Sequence, residues 1–103
     1  MTRAEASKLV AELRGCVGSE PGDNPVGLKR AKEIRLAFRE DSRATAYLLE
    51  KLDVVLTYID YWCRPRRWRH FGGDPTRLKS ILLGCVANFE SAVDLAYREP
   101  EKN

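Results

Sequence analysis

The chain has 103 residues, 44% of them hydrophobic and 32% charged, and a formal net charge of +3. At ~100 to 200 residues per domain this length holds one domain, residues 1–103, and excludes a second. No apolar run approaches the ~20 residues that cross a bilayer, so no membrane span is expected. The opening Met1-Thr2-Arg3-Ala4-Glu5 lacks the basic-then-apolar order of a secretory signal, and a soluble, cytoplasmic protein is the expectation.

The first predicted element starts at Thr2, with Glu5 three residues later in the reciprocal arrangement that satisfies two orphan amides of a first helical turn. Ala6, Leu9, Val10 and Leu13 then repeat at helical spacing, and Gly15 offers a left-handed stop. Residues 15–27 hold four glycines and two prolines and read as a connection. Their Gly spacing lacks the Lys-Ser/Thr ending of a phosphate cradle.

Asn24-Pro25 combines a cap with proline at the first helical position. From Leu28, the apolar Ala31, Ile34, Ala37 and Phe38 share one face, and Lys29, Arg30, Lys32, Arg35 and Arg39 cover much of the remainder. Residues 39–43 contain no apolar side chain, so a break belongs there, with Asp41 or Ser42 as cap of the next helix. Residues 44–63 carry a wide stripe of Tyr47, Leu48, Leu49, Leu52, Val55, Leu56, Ile59 and Trp62, which predicts a central helix touching more than one neighbour. A strand over residues 54–59 is rejected for want of period-two alternation. Arg64-Pro65 ends the helix. Asp74-Pro75 repeats the cap-plus-proline device, and Leu78, Leu82, Cys85, Phe89, Ala92 and Ala96 form the seam of a last helix. The expected fold is all-α: a small bundle of about four helices, one short N-terminal helix and three longer amphipathic ones.

The charge is unevenly distributed. Residues 28–43 carry six basic and three acidic groups, and residues 64–79 carry six basic and one acidic group, while the flanking stretches are net acidic. Such a field bears on partners and association rates. Within the second stretch, Arg64, Arg66, Arg67 and Arg69 are interleaved with Trp68, His70 and Phe71. Planar forked donors and flat rings suit phosphates and unstacked bases. In the first stretch, Arg35, Arg39 and Arg43 are spaced by four, with Lys32 adjoining them.

The chain therefore reads as a non-enzymatic binding or adaptor module whose Arg/aromatic segment, aided by Arg35 and Arg39, meets an acidic partner. Nucleic acid is the first candidate and an acidic protein surface the second. Two other readings stand beside it. Arg64 and His70, separated by five residues, are similar to the arginine–spacer–histidine signature of HEPN-type ribonucleases, small all-helical bundles. That resemblance implies that Arg64 steadies phosphate and His70 acts on the 2′-hydroxyl or leaving oxygen. Pro65 stands where that pattern usually has a polar residue. A self-associating structural protein, a possible homodimer, is the third reading, since wide apolar stripes in a short chain invite a second copy.

The three cysteines, Cys16, Cys63 and Cys85, are scattered, as expected of reduced thiols. With His70 they match no zinc-ligand spacing, and neither a metal site nor a cofactor is expected. Glu50, Asp53 and Asp60 lie along one face of the central helix, and Glu90 and Asp94 stand four apart on the last. No Glu-x-x-His pair accompanies them, so they read as solvated faces that complement basic stretches.

Overall fold

The computed structural model describes residues 1–17, 21–66 and 74–98. Among them the expected all-α bundle is present, with helices α1 (Arg3–Gly15), α2 (Pro25–Arg39), α3 (Ala46–Cys63) and α4 (Pro75–Ala96) and no strand.

The helix starts follow from their capping residues. The Thr2 hydroxyl accepts from the Glu5 amide at 3.2 Å, and the Glu5 carboxylate accepts from the Thr2 amide at 3.1 Å, completing the box before α1. Asp74 accepts from the Thr76 amide at 2.9 Å ahead of Pro75. Two local expectations are corrected. Gly15 is the last residue of α1, followed by Cys16 in right-handed geometry (φ −71°, ψ −17°), so no left-handed stop is used. The cap of α3 is Thr45, whose hydroxyl accepts from the Leu48 amide at 3.1 Å, and neither Asp41 nor Ser42 takes that role.

The buried residues form one apolar core drawn from all four helices. α3 packs between α2 and α4, and α1 closes the other side against the same two helices. Ala6, Val10 and Leu13 face inward from α1, and Leu28, Ala31, Ile34 and Phe38 from α2. Leu48, Leu52, Val55, Leu56, Ile59 and Trp62 do so from α3, whereas Tyr47 is 54% exposed and leaves the stripe. In α4 the buried face is broader than the expected seam. Val86, Val93 and Tyr97 are buried beside Leu78, Leu82, Phe89 and Ala92, and Cys85 and Ala96 are only partly buried. A seam of strict heptad spacing serves one partner, but α4 packs on both α3 and α1 and needs a wider face. Phe38 meets the Phe89 ring edge-on at 5.5 Å and the Tyr97 ring at 6.0 Å, so aromatic edges span the core between α2 and the end of α4.

Asp41 does its work elsewhere. Its carboxylate accepts from the hydroxyl of fully buried Tyr97, and the Arg43 guanidinium lies 5.0 Å from the centre of that ring. The α2–α3 connection is thereby bound to the end of α4. Among the described residues, four ion pairs tie helix to helix on the surface: Arg3–Asp94 and Arg14–Glu90 (α1–α4), Arg30–Glu12 (α2–α1) and Arg35–Asp53 (α2–α3). Exposed pairs of this kind are worth about 0.2–1 kcal/mol each, so they set neighbours more than they supply stability.

Two outcomes follow. Gly84 lies on the exposed side of α4, and a Cβ there would meet nothing within 4 Å. Gly84→Ala should therefore raise stability by roughly 0.5–1 kcal/mol in denaturant titration, the ordinary cost of glycine inside a helix. The Tyr97 hydrogen bond holds the Asp41 carboxyl below its usual range. That contribution is present above the unfolded carboxyl value of ~3.9 and is lost as pH falls through the lower folded value. Tyr97→Phe should cost about 1.5–3 kcal/mol at neutral pH. Its stability should also fall less steeply than that of the parent when melting is followed below about pH 4.

Candidate functional site

The three helix ends that meet around Asn24 decide which charges become neighbours. α3 finishes without glycine, at Arg64 in non-helical geometry (φ −138°, ψ 70°). Its last carbonyls still need donors. The incoming chain supplies them, as the Gly22 amide donates to the Trp62 carbonyl and the Asn24 amide to the Cys63 carbonyl, each at 3.1 Å. The Asn24 side chain then caps α2 by accepting from the Gly27 amide at 3.0 Å. Its amide nitrogen donates to the Cys16 carbonyl at the end of α1, at 3.4 Å. One asparagine thus touches the ends of α1 and α3 and starts α2. Gly27 permits the approach: a Cβ there would lie 2.9 Å from the Cys16 carbonyl oxygen and 2.5 Å from the Asn24 side-chain nitrogen.

With the start of α2 held at the end of α3, and the two helices joined at their other ends by a short connection, they run antiparallel. Lys29, Lys32 and Arg35 of α2 then face the last turns of α3. Two adjoining grooves result. One of about 540 Å³ is lined by Asn24, Leu28, Lys29, Lys32, Cys63 and Arg64, with Asp23 at its edge. The other, of about 470 Å³, is lined by Lys32, Arg35 and Arg64 and by Asp53, Thr57 and Asp60. Leu28, Lys32 and Arg64 belong to both.

The two basic stretches therefore converge, but with acids among them. Arg64 pairs with Asp60 at 2.8 Å, one helical turn back, and the Arg35 Nε donates to Asp53 at 2.7 Å. Lys29 and Lys32 are exposed, with no ion pair among the described residues, and exposed Arg66 follows two residues after Arg64. The expected carboxylate face is thus divided: Asp53 and Asp60 answer the arginines of the groove, Glu50 is exposed, and Glu90 and Asp94 bind α4 to α1.

The remaining site residues are placed as follows. Arg39 is exposed at the far end of α2 and lines neither groove. Arg43, expected on the same helical face, lies beyond the end of α2. It sits over Tyr97 and donates to the Arg98 carbonyl at 3.3 Å, far from Arg64 along the bundle. Arg67, Trp68, Arg69 and His70 lie outside the described residues, and with them the Arg64–His70 pairing. Lys29 and Lys32 deserve the weight that spacing by four gave to Arg39 and Arg43. The readable signal was the placement of both lysines in the first turns after the Asn24 cap, the end that an antiparallel neighbour closes.

Burial raises the thiols. Cys63 is pushed up to about 11 by desolvation, and Cys16 and Cys85 are raised for the same reason. All three thiols are free, and buried protonated sulfur is a poor nucleophile. Among the described residues no three His, Cys, Asp or Glu side chains gather as a metal site.

Asn24→Ala removes a cap and a donor together and should cost about 1–2 kcal/mol in chemical denaturation. Gly27→Ala should destabilise as well, although alanine is the better helix former, because the new methyl meets a backbone carbonyl. Cys63 should react with a thiol reagent in the native protein far more slowly than in denaturant at the same pH. No protein-family model matches the chain, and no curated protein or solved structure matches it either.

Proposed function

We propose that the protein is a non-enzymatic binding module, working in the cytoplasm, whose α2–α3 edge meets a polyanion, with nucleic acid as the first candidate. The observation that supports this reading is the meeting of Lys29, Lys32 and Arg35 with Arg64 on one pair of grooves, although 20 residues separate the two basic stretches in the chain. The carboxylates in the grooves shape the expected behaviour. Four cations, Lys29, Lys32, Arg35 and Arg64, face three acids, Asp23, Asp53 and Asp60. Affinity therefore rests on Lys29, Lys32 and Arg66, which have no ion pair among the described residues, and on the Arg-rich continuation of the sequence at Arg67 and Arg69. Contacts from such groups to phosphates position a nucleic acid without reading its sequence. Weak sequence preference and strong salt dependence are the expected signature.

Binding of labelled single-stranded and double-stranded nucleic acid, titrated at several salt concentrations, tests this. Replacing Lys29 and Lys32 together by alanine should lower the log–log salt slope on duplex DNA by about two, close to one per lost phosphate contact. Asp60→Asn, which frees Arg64 from its internal carboxylate, should raise affinity. Absence of binding at low salt, or a salt slope untouched by the double substitution, would refute the reading.

A further inference from the structure

The four described helices meet along four seams. Three are closed on the surface by ion pairs: α1–α4 by Arg3–Asp94 and Arg14–Glu90, α1–α2 by Arg30–Glu12, and α2–α3 by Arg35–Asp53. Among the described residues no ion pair crosses α3–α4. On α3, Tyr47, Lys51, Val54, Tyr58 and Tyr61 recur at steps of 4, 3, 4 and 3, beside the row that enters the core. Contacts within the row keep it continuous: Lys51 lies 5.2 Å from the centre of the Tyr47 ring, and the Tyr58 and Tyr61 rings are 6.1 Å apart. On α4, Ile81, Cys85, Asn88, Ala92 and Leu95 repeat the same steps. The Lys51 charge is close enough to act on the Cys85 thiol, so the two rows adjoin. Tyr47, Val54 (40%) and Leu95 (66%) are exposed, and Tyr58, Tyr61, Ile81 and Cys85 are half-buried. The two rows together hold one charged side chain and no acid.

We propose that this α3–α4 face is the contact between two copies of the chain, packed antiparallel across a two-fold axis that passes beside Val54 and Asn88. Apolar steps averaging 3.5 residues are what a helix presents to another helix running alongside it. Both rows are also self-complementary. A two-fold at Val54 sets Tyr47 against the partner's Tyr61, and Lys51 against the partner's Tyr58. A two-fold at Asn88 sets Ile81 against the partner's Leu95 and brings the two Asn88 amides together, where each can donate to the other. One axis serves both. Trp62 and Leu82 wall one cleft where the end of α3 lies beside the first half of α4. Counting eight residues back from Trp62 and six on from Leu82 brings Val54 and Asn88 to within roughly 3 Å of one height.

The lone charge fits this arrangement. Lys51 is placed between its own Tyr47 and the partner's Tyr58, as cations pack on aromatic faces, and the two Lys51 residues stay about 9 Å apart along the helices. Without an acid the face has nothing to attract a basic partner, and one lysine among tyrosine and aliphatic side chains gives a polyanion little hold. The size is sufficient. The 18 residues of α3 extend about 27 Å, and the bundle is 22 Å across. Two copies closing on such a face bury roughly 1,200 Å² in all, the lower end of a specific interface. The contact leaves the α2–α3 grooves open on the other flank of α3 and does not depend on what they bind.

Sedimentation equilibrium of the full chain, from micromolar to sub-millimolar concentration, tests the proposal. The mass should rise to that of two chains and fit a monomer–dimer equilibrium. Val54→Glu places like charges on the axis, and Leu95→Glu places a charge against the partner's Ile81. Each should weaken the dimer at least about tenfold while helical circular dichroism is retained, since both positions are exposed. Leu83→Glu alters an equally exposed apolar residue on the α1 side of α4 and should leave the dimer intact. A single-chain mass at sub-millimolar concentration would overturn the proposal. So would a dimer that survives both Val54→Glu and Leu95→Glu, or one that Leu83→Glu dissociates as readily.

Discussion

The arrangement of charge on this protein depends on a single polar junction, the one made by Asn24. Its backbone amide completes the end of α3, its side-chain oxygen starts α2, and its side-chain nitrogen reaches the carbonyl of Cys16, the residue that caps the end of α1. Helix ends are where a bundle leaves backbone groups without partners. Joining three ends answers several of these groups with one side chain, and it also fixes direction: the first turns of α2 must lie beside the last turns of α3. Gly27 is the steric condition for the junction, because its missing Cβ is the space that the Cys16 carbonyl and the Asn24 amide occupy.

From that junction the surface follows. Lys29 and Lys32 arrive next to Arg64 because they are one and two turns into α2, and Arg35 continues the row. The acids of α3 moderate the field. Asp53 and Asp60 pair with Arg35 and Arg64, so among the described residues the groove cations left without an ion pair are Lys29 and Lys32. At the opposite end of α2, Asp41, Arg43 and Tyr97 use their charge and polarity internally, binding the α2–α3 connection to α4. One end of the α2–α3 pair thus carries the candidate binding groups, and the other end is committed to holding the bundle together.

Much of the architecture was legible in the residues. Proline after Asn24 and after Asp74 marked two helix starts, and apolar spacing marked the inward faces of all four helices, because cap chemistry and helical periodicity are local properties. What local patterns could not convey was which helix lies beside which. The extra burial of Val86, Val93 and Tyr97 arises from α4 serving two neighbours. The withdrawal of Arg43 from the basic face arises from α2 ending at Arg39, where no glycine or proline signals a stop. Asp60 and Arg64 were readable as an i,i+4 pair, yet the convergence of Lys32 with Arg64 required the tertiary contact that Asn24 makes.

Amide hydrogen exchange at Gly22 and Asn24 tests the junction most directly. These two N–H groups sit outside any helix, and only their bonds to the Trp62 and Cys63 carbonyls can protect them. If the junction organises the surface, both should exchange slowly, opening only with free energies approaching that of the α2 and α3 core amides. Exchange of either amide at the rate of an unstructured chain, while the helices stay protected, would contradict the account.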